Sequence, residues 1–400
     1  MSERTTIHPV TAPFVRDRLT WLTYLTNAYG TYSVAAMSPL MAFLAVDLSL
    51  NYTQRGLHTS AFAVGTILAG IFADRAAIRF SRRLLMWVGG AGLAGGLLTL
   101  VLAHTPALTI AGVFVMGLLG TVMFVMGQAT LADHQDENRG IAFTESSVGA
   151  SIAGFFAPLL ISLAESWALG WRVAVLLSPI TWAVMFVWGR KIAVPAGARP
   201  AAAQSASRRL SRLYWVFWTM MFLGAATEWS VSFWTPEFLT QVVGVDDVTA
   251  AGALSLFWLA LITGRVAGTL LSRRFQPITL LLGAAALVVI AFPLLWLARS
   301  STVAFAALFA LSLGLANFFP LMLALATAAG SNNINAATAR VALANGVAIL
   351  IAPQLLGSLG DAVGIGPAFA LIGLLAMAVL GLCVFARRAQ RQPMWRSVQS

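Results

Sequence analysis

The carboxylate of Glu228 is the side chain of this sequence that is best placed to do chemistry. It lies near the middle of an apolar segment that runs from about residue 213 to residue 243, and it is the first acid in that segment. A carboxylate at the depth of a bilayer core costs about 3 kcal/mol on insertion scales, and such groups face a protein interior or a water-filled cavity. Glu228 therefore predicts a polar path across a membrane, in which a carboxyl group that gains and loses a proton couples transport to a proton gradient. A permanently paired structural carboxylate is the alternative.

Neutral polar and aromatic side chains at similar depth could line such a path. Positions four and seven apart share a face of a helix, and lipid would leave polar groups on that face unpaired. Amides and hydroxyls suit polyhydroxylated solutes, and an aromatic ring can stack on a sugar. Helix packing is the alternative for the small residues, and a structural role is the alternative for tryptophan. The predicted substrate-cavity residues are Asn27, Gln128, Trp229, Ser232, Asn317 and Asn345.

The composition places these residues in a membrane protein. The chain has 400 residues, of which 59% are hydrophobic and 10% are charged, whereas soluble domains have about 25% charged residues. Apolar runs of about twenty residues, each long enough to cross a hydrocarbon core, recur along the chain. Twelve of them are centred near residues 32, 64, 94, 120, 152, 180, 228, 260, 288, 316, 348 and 376. We therefore predict an all-α membrane protein with twelve transmembrane helices.

The formal charge of +11 is distributed in a way that predicts membrane orientation. Arginines follow the second, sixth, eighth and twelfth spans, whereas the opposite loops carry acids, namely Asp47, Glu165, Asp246, Asp247 and Asp361. This is the positive-inside pattern, and it predicts a multi-pass protein of the cell inner membrane with both termini in the cytoplasm. The basic charge then needs no nucleic-acid partner.

Enzymatic chemistry is not predicted. Cys383 is the single cysteine and the chain has four histidines, so no cysteine-based metal site or disulfide is expected. No nucleotide-binding loop, metal-ligand spacing or nucleophile with a paired base is recognisable. The polar first twenty residues lack the apolar core of a cleaved signal peptide. We expect no enzyme activity, no cofactor and no metal.

The sequence divides into two similar sets of six spans. A Pro/Ala/Ser-rich stretch separates them, which predicts an N-terminal bundle (1–189), a cytoplasmic linker (190–212), a C-terminal bundle (213–387) and a cytoplasmic tail (388–400). Gly70-Ile-Phe-Ala-Asp74-Arg75 aligns with Gly268-Thr-Leu-Leu-Ser272-Arg273, and Ala157-Pro158 aligns with Ala352-Pro353. The near-equal offsets indicate an internal duplication, with the substrate expected at midplane between the two sets.

Twelve spans, a central linker and Gly70-x-x-x-Asp74-Arg75 resemble the major facilitator superfamily. The family signature continues with a second glycine, where this chain has Ala77. The resemblance implies two pseudo-symmetric six-helix bundles, a monomeric working unit and a gating role for Gly70, Asp74 and Arg75. An ordinary solvated charge cluster is the alternative for these residues.

Two further charged residues are predicted near the same gate. Glu145 lies close to the start of the fifth span, where an interfacial salt bridge is expected. Arg265 lies near the cytoplasmic end of the eighth span. Since arginine side chains snorkel, a gate or interface role is favoured there over anion binding.

The seventh and eighth spans are similar to those of the fucose permease-like branch, which imports sugars and related solutes with protons. The match rests on Glu228-Trp229 with Trp234-Thr-Pro-Glu237 and on Trp258 with Gly264-Arg265, but Gln128 stands where an acid is expected. We predict a secondary active transporter for a small polar solute, working by proton symport within the lipid bilayer. The coupling ion could also be sodium. Export of drugs or metabolites is the main alternative, and a transporter-like receptor is a lesser one.

Overall fold

The computed structural model describes residues 14–195, 210–330 and 334–391, and within these ranges the side chains of residues 74, 137, 334–336, 339, 390 and 391 are not described. The described chain is almost entirely helical. Its helices are α1 (Arg18–Leu48), α2 (Tyr52–Arg79), α3 (Arg82–Leu102), α4 (Pro106–Gln135), α5 (Arg139–Ser166), α6 (Trp171–Gly189), α7 (Arg212–Phe238), α8 (Asp247–Leu271), α9 (Pro277–Trp296), α10 (Ser301–Leu315), α11 (Phe318–Ala329), α12 (Ile334–Val363), α13 (Ile365–Ala368) and α14 (Ala370–Arg391).

These helices form twelve spans, which confirms the predicted all-α fold. Eleven segments in the described part of the chain are long and apolar enough to cross a membrane, and each of the pairs α10–α11 and α13–α14 makes one of them. The twelfth is α7, whose 27 residues are less apolar because Glu228 and several hydroxyl side chains lie among them. A π-helical turn, Leu239–Val243, continues α7, and Asn317 interrupts the tenth span between α10 and α11.

Local sequence signals explain where several helices begin. The Asn51 side chain accepts a hydrogen bond from the backbone N–H of Gln54, and the Gln54 side-chain oxygen accepts one from the backbone N–H of Asn51. This capping box satisfies donors that the first turn of α2 would otherwise leave free. In other helices an N-cap side chain accepts a hydrogen bond from a backbone N–H of the first turn, and these residues are Asp17 (α1), Ser81 (α3), Ser211 (α7), Asp246 (α8) and Ser300 (α10).

The two ends of the bundle differ in charge, and we name them accordingly. The basic face is the end at which α2, α6 and α8 finish, with Arg79, Arg190 and Arg273 at or next to those ends. The acidic face is the opposite end, at which α1, α5 and α12 finish. We call the spans α1–α6 the first half and the spans α7–α14 the second half.

Helix α2 packs on α12, α5 packs on α8, and α1 packs on α7 and α8, and these pairs join the halves. Glycines allow the closest approach. A Cβ on Gly56 of α2 would lie 2.6 Å from Oε1 of Gln354, and a Cβ on Gly357 of α12 would lie 2.6 Å from the carbonyl oxygen of Tyr52. Small residues let membrane helices approach in this way, so Gly56 and Gly357 permit the close contact of α2 with α12 near the acidic face.

Candidate functional site

Glu228 lies on α7, sixteen residues after Arg212 begins that helix, which is about 24 Å along the helix axis. Its side chain is half-buried. Within the described part of the chain its carboxylate has no hydrogen-bond or ion-pair partner, and the charge that acts on it is that of Arg265 on α8. An unpaired carboxylate at this depth is costly in lipid, so its accessible surface belongs to a polar space inside the protein.

Arg265 connects this carboxylate to the first half. Its Nη1 donates a 3.1 Å hydrogen bond to the Ser151 hydroxyl on α5. The guanidinium therefore lies where α5, α7 and α8 meet, rather than in the aqueous layer at the basic face. We call Glu228, Arg265 and Ser151 the central polar cluster. It contains the predicted coupling residue and one predicted gating residue.

Two predicted cavity residues on α7 also contact the first half. The ring of Trp229 lies 6.3 Å from the ring of Phe62 on α2, tilted by 33°. The Ser232 carbonyl accepts a 2.7 Å hydrogen bond from the Ser38 hydroxyl on α1. Both side chains are half-buried, so this part of α7 lies at the junction of the two halves.

The other predicted cavity residues are placed less centrally. Asn27 is buried and donates a 2.9 Å hydrogen bond to the Ser146 hydroxyl, which ties α1 to α5. Asn317 donates a 2.7 Å hydrogen bond to the Gly264 carbonyl, inside the second half. Gln128 and Asn345 are half-buried, and no described contact brings them to Glu228. Trp229 and Ser232 therefore lie on the helix that carries Glu228 and at the junction of the halves, whereas Asn317 lies in the packing of α8 against the tenth span.

Apart from Arg265, the residues predicted at the basic-face gate make no described contact between the halves. A Cβ on Gly70 would meet nothing within 4 Å, and Arg75 is exposed. The Asp74 side chain lies outside the described residues. Glu145 forms the predicted salt bridge, with Oε1 2.5 Å from Nη2 of Arg16, but both residues belong to the first half. In this conformation the basic ends of the halves are therefore not held together by these residues.

At the acidic face, in contrast, side chains of the two halves contact each other. Nη1 of Arg55 on α2 lies 2.6 Å from Oε2 of Glu237 on α7, and both side chains are buried. The Arg55 guanidinium also lies 5.3 Å from the ring of Trp234 and 5.6 Å from that of Tyr52. A cation over aromatic faces gains further attraction when it is removed from water. Together these groups lock α2 against α7.

Asp361, near the end of α12, completes this closure. Its Oδ1 accepts a 2.9 Å hydrogen bond from the backbone N–H of Tyr52, and its Oδ2 accepts a 2.8 Å hydrogen bond from that of Thr53. These donors belong to the first turn of α2, where unpaired N–H groups and the helix dipole favour an anion. A carboxylate of the second half thus caps a helix of the first. We call Tyr52, Arg55, Trp234, Glu237 and Asp361 the acidic-face gate.

Sequence reasoning missed most of this gate. The sequence places Glu237 directly after Pro236, near the end of the seventh span, and gives no indication of its partner. The available signal was Arg55 itself, because it is a basic residue in the first turn of a span on the acid-bearing side. Such an exception to the charge pattern indicates an internal partner. A cavity of about 320 Å³, lined in part by Asn51, Thr240 and Asp247, lies against the gate.

Sequence comparison gives one family. A family model described as Major Facilitator Superfamily matches residues 20–337 of the chain. An uncharacterized MFS-type transporter of Yersinia pestis is 25% identical over 362 residues, which cover 86% of this chain and 90% of that protein.

Solved structures share the fold. A bacterial homolog of the human lysosomal transporter Spinster, in an inward-facing and unoccupied conformation, matches with a TM-score of 0.75 at 14% identity and covers 93% of this chain and 97% of its own. The nucleoside transporter NupG matches with a TM-score of 0.73 at 14% identity, over 93% and 99% of the two chains. The peptide transporter POT matches with a TM-score of 0.75 at 15% identity, over 92% and 94%.

Proposed function

The chain belongs to the major facilitator superfamily, and we propose that this multi-pass membrane transporter moves a small polar solute by alternating access with proton symport. The observation that carries the proposal is the carboxylate of Glu228, which lies deep in α7 beside Arg265 and without a hydrogen-bond or ion-pair partner among the described residues. A buried ionisable group in a membrane span is by default a functional site. One chain supplies both halves of the path, so we take the monomer as the working unit.

We place the basic face in the cytoplasm of a cell whose inner membrane holds the protein, with both termini on that side. The support is the positive-inside pattern of the arginines that follow even-numbered spans. On this orientation the acidic-face gate closes the path to the outside. The conformation then corresponds to an inward-facing state, as in the Spinster homolog whose structure it resembles.

The coupling step that we propose uses the charge of Glu228. When Glu228 is ionised, the positive charge of Arg265 attracts it, and Arg265 in turn holds Ser151 of the first half. When Glu228 is protonated, that attraction is lost. A proton can therefore change how strongly α7 and α8 are held to α5, and such a change in relative stability is what a coupling ion must supply. A sodium ion at the carboxylate would act by the same electrostatics.

The proposed substrate class is supported by neutral polar and aromatic groups, two of which lie on the helix that carries Glu228. Trp229 and Ser232 lie at the junction of the halves, and Asn27, Gln128 and Asn345 offer neutral amides on three other helices. An aromatic face with hydroxyl and amide partners suits a sugar or a related polar metabolite. The similarity of the seventh and eighth spans to the fucose permease-like branch supports the same class.

The experiment is uptake into proteoliposomes that contain the purified protein and a pH-sensitive dye. A panel of labelled sugars, nucleosides and small peptides is supplied outside under an imposed pH gradient, acid outside. We expect accumulation of a sugar-like solute, proton entry in step with it, and loss of both when a protonophore collapses the gradient. Accumulation that persists with the protonophore and follows a sodium gradient would replace the proton by sodium. Solute extrusion by the same gradient would indicate export.

A further inference from the structure

A second cavity lies away from the path, in the second half. It is an apolar crevice of about 340 Å³ between α8, α9 and the α10–α11 span, and its lining includes Leu271, Phe275, Thr279, Gly283 and Leu287. Thr279 and Leu287 are eight residues apart on α9, so the crevice runs about 12 Å inward from the basic face. The lining side chains are mostly aliphatic, and Leu271 and Phe275 are exposed.

Two arginines lie at the mouth of this crevice. Arg273 and Arg274 occupy the turn between α8 and α9, flanked by Leu271 and Phe275 of the lining, and both are exposed. In the described part of the chain neither side chain has a hydrogen-bond or ion-pair partner. The sequence explains why, since it contains no aspartate or glutamate between Asp247 and Asp361. The helices around the crevice therefore supply no carboxylate for these two charges.

In the first half, an arginine beside the corresponding turn has an acidic partner. Arg82, beside the turn between α2 and α3, forms a salt bridge of 2.6 Å with Asp133 near the end of α4. The equivalent element of the second half is α11, whose sequence Phe318–Ala329 has no acid. One arginine beside the turn of the first half is thus paired with an acid of the protein, whereas the two arginines of the duplicated turn have no acid near them in the sequence.

We propose that the crevice and its arginines bind an anionic phospholipid, with the phosphate beside Arg273 and Arg274 and one acyl chain in the crevice. Basic pockets between spans on the cytoplasmic side attract anionic head groups, and arginine pairs with phosphate through charge-assisted hydrogen bonds. An apolar crevice in continuity with the mouth provides a place for the chain. A zwitterionic phospholipid carries no net charge and is held less tightly.

The test is native mass spectrometry of the full chain, released from detergent after incubation with equal amounts of phosphatidylglycerol and phosphatidylcholine. We expect the wild type to retain one molecule of phosphatidylglycerol in preference to phosphatidylcholine. The double variant Arg273→Gln/Arg274→Gln should bind phosphatidylglycerol about 30-fold more weakly, because each arginine near the membrane surface contributes about the same factor to the affinity for an anionic head group. Gly283→Leu should also lose it with both charges intact, because a side chain there enters the crevice while its Cβ meets nothing within 4 Å.

A matched control removes two charges from the same face without touching the crevice. Arg387→Gln/Arg388→Gln on α14 should retain the lipid as the wild type does. Equal retention of the two lipids by the wild type would overturn the proposal. So would unchanged binding in Gly283→Leu, since a phosphate attracted by the arginines alone does not need the crevice. Monodisperse elution of every variant in size-exclusion chromatography separates loss of lipid from loss of fold.

Discussion

Arg55 and Glu237 form a buried salt bridge, with Nη1 and Oε2 2.6 Å apart, that joins α2 of the first half to α7 of the second. The proposed alternating access requires the halves to separate at this face when the path opens there. The pair must then exchange its contact for water. The balance between the two conformations therefore depends on this bridge and on the groups around it.

We predict that Arg55→Gln shifts the protein toward a conformation open at the acidic face. The substitution leaves the Glu237 carboxylate buried without its partner, which costs about 3–5 kcal/mol in the closed form. A shift of that size can invert a two-state population. The measurement is the distance between spin labels at Val46→Cys and Val363→Cys, which are exposed positions on α1 and α12, in a Cys383→Ala background. The mean distance should increase.

The chain offers a control for this experiment. Arg172 and Asp47 form a salt bridge of the same 2.6 Å length at the same face, but it is exposed and lies within the first half. Arg172→Gln should leave the label distance unchanged, because it joins no moving parts and exposed pairs contribute little. The double variant Arg55→Gln/Glu237→Gln should open less than Arg55→Gln alone, since no charge is then stranded. Equal distances in Arg55→Gln and wild type would contradict the gate.

A second prediction concerns the cap between the halves. Asp361→Asn keeps one carbonyl oxygen for the N–H groups of Tyr52 and Thr53 but loses the charge and the second acceptor, at a cost of about 1 kcal/mol in the closed form. Hydrogen exchange of those two amides should become faster and the label distance should increase slightly. Asn51→Ala removes a cap that stays within α2, and it should leave the label distance as in the wild type. Protection unchanged in Asp361→Asn would remove Asp361 from the gate.

A third prediction separates the two partners of Arg265. Arg265→Gln removes both the charge beside Glu228 and the ion-assisted hydrogen bond to Ser151, and it should reduce gradient-driven uptake by at least about ten-fold. Arg265→Lys keeps the charge and should retain more activity. Ser151→Ala removes the 3.1 Å hydrogen bond from Arg265 and a local one that the hydroxyl donates to the Ser147 carbonyl within α5, but it keeps the charge, and its effect should be small. If Ser151→Ala is as damaging as Arg265→Gln, then the bond to α5 is the important contact, and the charge beside Glu228 is not.

The fourth prediction uses pH. Asp246 caps α8, and hydrogen bonds from Thr249 hold the pKa of its carboxyl below the usual value. A lowered folded-state pKa means that the cap stabilises the protein above the unfolded pKa of about 3.9 and that this stabilisation is lost as pH falls through the lowered value.

Asp246→Ala should therefore lower the Tm at pH 7, consistent with about 1 kcal/mol for a lost helix cap, and the difference from wild type should vanish at an acid pH below the lowered pKa of the carboxyl. Asp247→Ala, one residue along and inside the helix, serves as the control and should change the Tm much less. A difference for Asp246→Ala that is the same at both pH values would contradict the role of the ionised cap.

The spans could be predicted because each is encoded locally. Apolar runs of the required length give the helices, whereas the orientation that the arginines indicate stays a prediction. Glu228 distinguished α7 from the other spans in the sequence, and the same residue contributes to the lower apolarity of α7. The break at Asn317 and the π-helical turn at 239–243 were not predicted.

The acidic-face gate could not be predicted because its partners are distant in sequence. Arg55 and Glu237 are 182 positions apart, and their meeting depends on the register of α2 against α7 and α12. That register is set by close helix contacts such as those at Gly56 and Gly357, which a single sequence does not reveal. Arg265 was predicted at a gate from its depth along α8, but only the fold brings its side chain to Ser151 and Glu228.

The most direct test of the account compares exchange with accumulation in Glu228→Gln. Proteoliposomes loaded with unlabelled solute measure exchange, which needs no net proton movement, and an imposed pH gradient measures proton-driven accumulation. We predict that Glu228→Gln keeps exchange near the wild-type rate and abolishes accumulation, while Asp247→Asn, an exposed acid at the acidic face, keeps both. Accumulation by Glu228→Gln equal to that of the wild type would contradict the account.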